Sequence, residues 1–258
     1  MSKKSIDEVF SKPGLKLMNH VVAGYPNPKM CLDCLQAMEA NGTDMVEIQI
    51  PFTDPMADGP TIVKANHDAL SSGMNVKKTF EWIKEAKGKT QLPLLIMTYY
   101  NIPYQMGLKE FFRRAVDCGV SGIIIPDIPF DEAHEHYPDK ISSFDLHPIL
   151  VVSPTTTVER LQKINRWGKG FVYTTLKAGV TGTKKLIDDS SIRFLKQLRN
   201  FFSIPIAAGF GIHSPEQAKE LSDKVDMVVI GSKVIQILDS KKDPLSFIAE
   251  FIRSCKSD

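Results

Sequence analysis

The chain has 258 residues, 43% hydrophobic and 24% charged, a composition that excludes disorder and fibrous repeats. Lys and Arg number 32 against 30 Asp and Glu, a net charge of +2, and the basic residues are scattered along the chain, so no nucleic-acid surface is expected. No run approaches the roughly 18 apolar residues of a membrane span, and the cysteines, Cys31, Cys34, Cys118 and Cys255, are too few and too unevenly spaced for a disulfide framework. A cytoplasmic protein with reduced thiols is expected.

A short helix over Ser5 to Ser11 carries Ile6, Val9 and Phe10 ahead of the first strand, where it would plug the N-terminal end of a barrel. Continuous runs rich in Val, Ile and Leu at 17–23, 45–50, 92–99, 122–127, 148–153, 170–175, 204–208 and 227–231 read as eight buried parallel strands. Helix starts are marked by Asn27-Pro28 before Met30 to Ala40 and by the capping box Ser214-Pro215-Glu216-Gln217, and Gly42, Gly88, Gly119 and Gly168 fall where helices should end. The longest gap, between the second and third strands, holds two helical patterns, Thr61 to Leu70 and Val76 to Lys87. With no linker or composition shift, the alternation predicts one α/β domain over 1–258, a (β/α)₈ TIM barrel with an extra N-terminal helix; a doubly wound open sheet is the second choice.

In the second strand Val46, Ile48 and Ile50 share one face, and Met45, Glu47 and Gln49 the other. The aliphatic face suits the surrounding helices, so Glu47 should point into the barrel near its C-terminal mouth. A poorly solvated carboxylate there has the profile of a general acid or base, although a Glu paired with a buried Lys or Arg would read the same way. Asp54 and Asp58 follow on the Pro-rich loop Pro51 to Pro60, where one of them can flank a substrate opposite Glu47 or simply serve a turn. Ala208-Gly-Phe-Gly-Ile212 after the seventh strand and Ile230-Gly-Ser-Lys233 at the end of the eighth suit a phosphate, because glycines admit backbone N–H groups to an anion and barrels often place such a site there. Ala178 to Gly182, after the sixth strand, is placed to close over it. Cys31 and Cys34 share a helical stripe with Leu35 and Met38 and read as core, and His134, Glu135 and His136 read as a solvated face, so no metal is expected.

The segments VEIQIPFTDPMADGP, IPDIPFDE, AGVTG, AAGFGI and VVIGS occur in an order and spacing that resembles the tryptophan synthase α subunit family along nearly the whole chain. The resemblance implies a carbon–carbon lyase that releases indole and glyceraldehyde 3-phosphate from indole-3-glycerol phosphate, with no cofactor of its own. It implies Glu47 as the acid/base and Asp58 as the carboxylate on the indole N–H. Tyr173, Tyr99 and Asp127 match pocket residues, and Thr181, Gly182, Phe210, Gly211, Gly231 and Ser232 match the phosphate site and its surroundings. It further implies an αββα complex that passes indole to a pyridoxal-phosphate β subunit for tryptophan synthesis, with Asp54, the loop from Asn101 to Gly107, and Pro129 facing that partner.

Some positions depart from the family pattern. Gln49 stands where Gly is common, His20 where a pocket Phe or Tyr is usual, Val22 where Thr is common, and Leu176-Lys177 where Ser-Arg is common. These changes bear on substrate fit, loop closure and partner control more than on the reaction. The competing expectation is a non-catalytic subunit that binds a glycerol phosphate and activates the β partner; a lyase that works without a partner ranks third.

Overall fold

The computed structural model describes residues 5–128, 136–176, 187–209, 211–240 and 242–256. Its strands are β1 (Lys16–Val22), β2 (Met45–Gln49), β3 (Leu94–Met97), β4 (Gly122–Ile124), β5 (His147–Val152), β6 (Val172–Thr175), β7 (Ile206–Gly209) and β8 (Met227–Ile230). Each pairs in parallel with the next, and β1 pairs with β8, so the sheet closes into a barrel. The open-sheet alternative is thereby excluded.

Among the described residues the helices are α1 (Ile6–Phe10), α2 (Pro28–Ala40), α3 (Pro60–Ser71), α4 (Val76–Lys89), α5 (Asn101–Met106), α6 (Leu108–Asp117), α7 (Tyr137–Ser142), α8 (Val158–Trp167), α9 (Asp189–Phe201), α10 (Pro215–Glu220), α11 (Ser232–Ser240) and α12 (Pro244–Lys256). None is long and apolar enough to cross a membrane. Asn27 and Asn75 cap α2 and α4 by accepting the N–H groups of Met30 and Lys78. At α10, Ser214 accepts from Gln217 N–H, but the Gln217 side chain takes the N–H of His213 at 2.7 Å, one residue earlier than the expected capping box. Gly88 does not end its helix, because α4 runs on to Lys89.

The apolar residues form two shells. Val46, Ile48 and Ile50 pack outward with Leu35, Ile83 and Phe111, while Met18, Met45, Leu95, Ile149, Phe171 and Met227 fill the barrel interior. The α1 helix closes the interior from below. Ser5 and Glu8 form a reciprocal cap, each bond 3.1 Å, and Ile6 and Val9 join the interior cluster. Ile6 fits because Gly122, which opens β4, and Gly170, two residues before β6, lack side chains: a Cβ at either would lie 3.4 or 3.2 Å from its methyl carbons. Polar side chains therefore enter the interior at the opposite, C-terminal end.

Candidate active site

The parallel register sets His20 on β1 beside Glu47 on β2, and both side chains turn inward. His20 Nδ1 lies 2.6 Å from Glu47 Oε1, with each residue 4% exposed. Glu47 is therefore paired, but to an imidazole rather than to a Lys or Arg. Gly231 makes room for this ring, since a Cβ there would stand 3.2 Å from His20 Cβ. Glu47 Oε2 and His20 Nε2 are buried and have no hydrogen-bond partner among the described residues.

Two residues beyond Glu47, Gln49 also points inward and donates through Nε2 to Asp58 Oδ2 at 2.8 Å. Tyr99 Oη donates to the same oxygen at 2.8 Å and accepts the Ala57 N–H at 3.0 Å, which ties the loop after β2 to the end of β3. Tyr173 enters from β6 over Gly209, where a Cβ would come within 2.4 Å of the phenolic oxygen. His20, Glu47, Asp58, Tyr173, Gly231 and Ser232 line one cavity at this end of the barrel.

The electrostatics follow from burial and neighbours. Burial works against the His20 imidazolium, but the hydrogen bond and charge of Glu47, the charge of Asp58 and the nearby Gln49 side-chain oxygen outweigh it, so its pKa is raised. Burial raises Asp58, against the charge of His20 and the bonds from Gln49 and Tyr99. Tyr173 is pushed well up by burial and then by the Glu47 and Asp58 carboxylates, so it stays a neutral hydroxyl. The cavity wall continues with Gly211 at φ +95°, Ile212 and His213, and with Gly231 beside His20 and Ser232, which opens α11. A helix N-terminus with glycine backbone at its entrance is a ready anion site.

A family model described as tryptophan synthase alpha chain matches residues 8–256. The chain belongs to the tryptophan synthase alpha chain family. It is 40% identical over 99% of both chains to the alpha chain of Petrotoga mobilis, and 36% identical over 100% of this chain and 98% of the other to that of Methanosarcina barkeri. Among solved structures, the Mycobacterium tuberculosis tryptophan synthase matches with a TM-score of 0.88 at 27% identity, covering 99% of this chain and 97% of that one. The Pyrococcus furiosus tryptophan synthase complex gives 0.84 at 28% identity, covering 93% and 97%.

Against this tryptophan synthase alpha chain frame, Glu47, Asp58, Tyr173, Gly211, Gly231 and Ser232 line one cavity, and Tyr99 reaches it through Asp58. Asp127 is exposed at the end of β4, and its carboxylate accepts the Tyr100 N–H at 3.0 and 3.2 Å. Asp54 is exposed on the loop after β2, and Asn101 is exposed at the first position of α5, so the segment expected as a loop from Asn101 to Gly107 is a helix up to Met106; Met56 and Tyr104 on the same two segments are 84% and 62% exposed. Thr181, Gly182, Phe210 and Pro129 lie outside the described residues, as do His134 and Glu135, and His136 is exposed. No cluster of three His, Cys, Asp or Glu side chains suited to a metal occurs among the described residues. Sequence reasoning missed the His20–Glu47 and Gln49–Asp58 bonds and the place of His213 on the cavity wall. The inward alternation of β1 and β2 was the available signal for the first two.

Proposed function

We propose that Glu47 and Asp58 carry the chemistry of the tryptophan synthase alpha chain in this protein, the retro-aldol cleavage of indole-3-glycerol phosphate to indole and glyceraldehyde 3-phosphate. Breaking the C3–C3′ bond needs a proton on indole C3, loss of the C3′ hydroxyl proton, and a counter-charge for the cation at the ring nitrogen. The proton held by the Glu47–His20 pair passes to C3 through Glu47. The resulting carboxylate takes the hydroxyl proton as the bond breaks, C3′ becoming the aldehyde carbon and the bond pair restoring the neutral indole. Glu47 ends as it began, and ionised Asp58 holds the ring N–H while the charge is present. No step calls for a metal or organic cofactor in this chain.

One observation carries the reading: Glu47 Oε2, buried and without a partner among the described residues, shares a cavity with Asp58 and with the Gly231–Ser232 helix entrance. The phosphate is assigned to Gly211, Gly231 and Ser232, joined by Thr181, Gly182 and Phe210 on the strength of the resemblance. Tyr173 stands beside Glu47 as a neutral hydroxyl, Tyr99 steadies Asp58, and Asp127 shapes the pocket entrance through the Tyr100 backbone. The chain works with a β subunit. We take the assembly as αββα, with pyridoxal phosphate in the β subunit receiving the indole, and Asp54, Asn101 and Pro129 on the side that faces it. The span 1–258 is read as one barrel domain acting in the cytoplasm.

Indole release from indole-3-glycerol phosphate, with and without a β subunit from the same source, tests this. Slow release that rises strongly with the partner is expected. No release in either case, with a glycerol phosphate still bound and tryptophan formation from added indole and serine still stimulated, would overturn it in favour of the non-catalytic activator.

A further inference from the structure

Two buried polar atoms without a partner among the described residues belong to one hydrogen-bonded pair of side chains. Glu47 Oε1 and His20 Nδ1 satisfy each other at 2.6 Å, which leaves Glu47 Oε2 and His20 Nε2 as the outer ends of one bonded unit, both buried and both without a partner among the described residues. Buried polar atoms are almost always paired, so two unpaired ones on residues lining the same cavity point to a ligand with two polar groups. The placement of His20 specifies them further. Its ring sits between Glu47 and Gly231, with a Cβ at Gly231 falling 3.2 and 3.4 Å from its Cβ and Cγ.

We propose that His20 binds the C2′ hydroxyl of the glycerol chain through Nε2 while Glu47 acts on the neighbouring C3′ hydroxyl through Oε2, so that the pair reads a vicinal diol. This rests on the proposed lyase reading, in which C3′ lies at Glu47 and the phosphate at Gly231 and Ser232; C2′ is the carbon between them. A hydroxyl suits Nε2 in either state of the ring, because it accepts from an imidazolium and donates to a neutral imidazole whose Nδ1 proton is given to Glu47. The Glu47 bond also fixes the ring, so little freedom remains to be lost when the hydroxyl arrives. His20 is in this sense a specificity-determining residue.

The test compares indole-3-glycerol phosphate with its 2′-deoxy analogue in the full chain with its β subunit. The natural substrate should be favoured by roughly ten- to a hundredfold in kcat/KM, the discrimination expected when a buried partner is left unpaired. His20→Phe should level that preference to within a few-fold while keeping its affinity for indole-3-propanol phosphate, which lacks both hydroxyls. An unchanged preference in H20F overturns the proposal. If H20F loses affinity for the propanol phosphate, the pocket has collapsed, and nitrogen NMR of the unmodified chain with labelled histidine decides instead. There the His20 Nε2 signal should move with the substrate's diol and stay in place with the 2′-deoxy analogue; equal responses to both overturn the proposal. The NMR arm does not depend on turnover, so a chain that binds the diol through His20 but releases no indole would sink the lyase reading and leave the contact standing.

Discussion

Gln49 Nε2 and Tyr99 Oη converge on one oxygen of Asp58, each at 2.8 Å. Both donors favour the ionised carboxylate against the burial that raises its pKa, and the proposed role of Asp58 requires the ionised form. Gln49→Leu keeps the volume and removes a donor. A hydrogen bond to a charged group contributes about 1.5–3 kcal/mol, so kcat/KM should fall by roughly ten- to a hundredfold. Losing a donor to the ionised form raises the Asp58 pKa further, and the acidic limb of the pH–rate profile should move to higher pH. A limb that stays in place would mean that Gln49 does not tune Asp58.

Glu47→Gln tests the acid/base directly. The amide keeps the shape and one acceptor but neither donates a proton to indole C3 nor removes one from the hydroxyl. General acid/base catalysis is typically worth 10²–10⁴-fold, so the barrier should rise by roughly 3–5 kcal/mol in single-turnover measurements. Affinity for indole-3-propanol phosphate should survive, since the assigned phosphate contacts lie elsewhere. Turnover like that of the wild type would remove Glu47 from the mechanism.

Gly209 was legible as part of a phosphate loop, and the structure gives it a second duty under Tyr173. A Cβ there would lie 2.4, 2.7 and 2.8 Å from the Oη, Cζ and Cε1 atoms of a rigid ring, so the ring must leave its place. Gly209→Ala should cost about 1–3 kcal/mol in urea unfolding, the usual range for overpacking. Activity should fall more than stability alone explains at temperatures where the variant is fully folded. A G209A chain with unchanged kcat/KM would show that Tyr173 has room to shift and that its position beside Glu47 is not needed.

The barrel was legible because buried parallel strands are written as unbroken aliphatic runs, and the inward turn of Glu47 followed from Val46, Ile48 and Ile50 claiming the outer face. Strand ends were less legible. The β7 ladder runs on to Gly209, which pairs with Thr175, because glycine without a side chain can end a strand as readily as start a loop. The carboxylates' partners escaped notice because they depend on register between strands: His20 meets Glu47 only through the alignment of β1 with β2. Gln49 and Asp58 are nine residues apart, and the turn from Pro51 to Ala57 decides whether they meet. The motif around Asp127 marks it as a pocket residue, and its bonds to the Tyr100 N–H are set by how β3 ends.

Cys31 and Cys34 form a CxxC motif, yet their helical spacing puts both on the apolar stripe of α2 with Leu35 and Met38. Both thiols are buried on the core face of α2, where burial pushes Cys31 up to about 12 and Cys34 higher still. A redox or metal-binding pair needs accessible thiolates, which this environment disfavours. At pH 8 a thiol reagent should leave the native chain essentially unlabelled and react with all four cysteines in urea. A rapidly labelled pair in the native chain would reverse the assignment to the core.

The His20–Glu47 unit also makes stability depend on pH in a defined direction. The His20 pKa is raised in the folded chain, burial opposing the shift and the bond and charge of Glu47 producing it. The native state therefore binds the imidazole proton more tightly than the unfolded state does. This contribution is fully present below the unfolded value of about 6.5 and is lost as pH rises through the higher folded value. Asp58, also raised, contributes in the same sense from a lower starting point, and the charge of His20 holds it down. Urea midpoints measured at pH 5, 7 and 9 should show the wild type losing its advantage over H20F as pH increases, with unchanged denaturant slopes. A difference that is constant over that range, or that grows toward pH 9, would mean that the buried pair does not hold its extra proton.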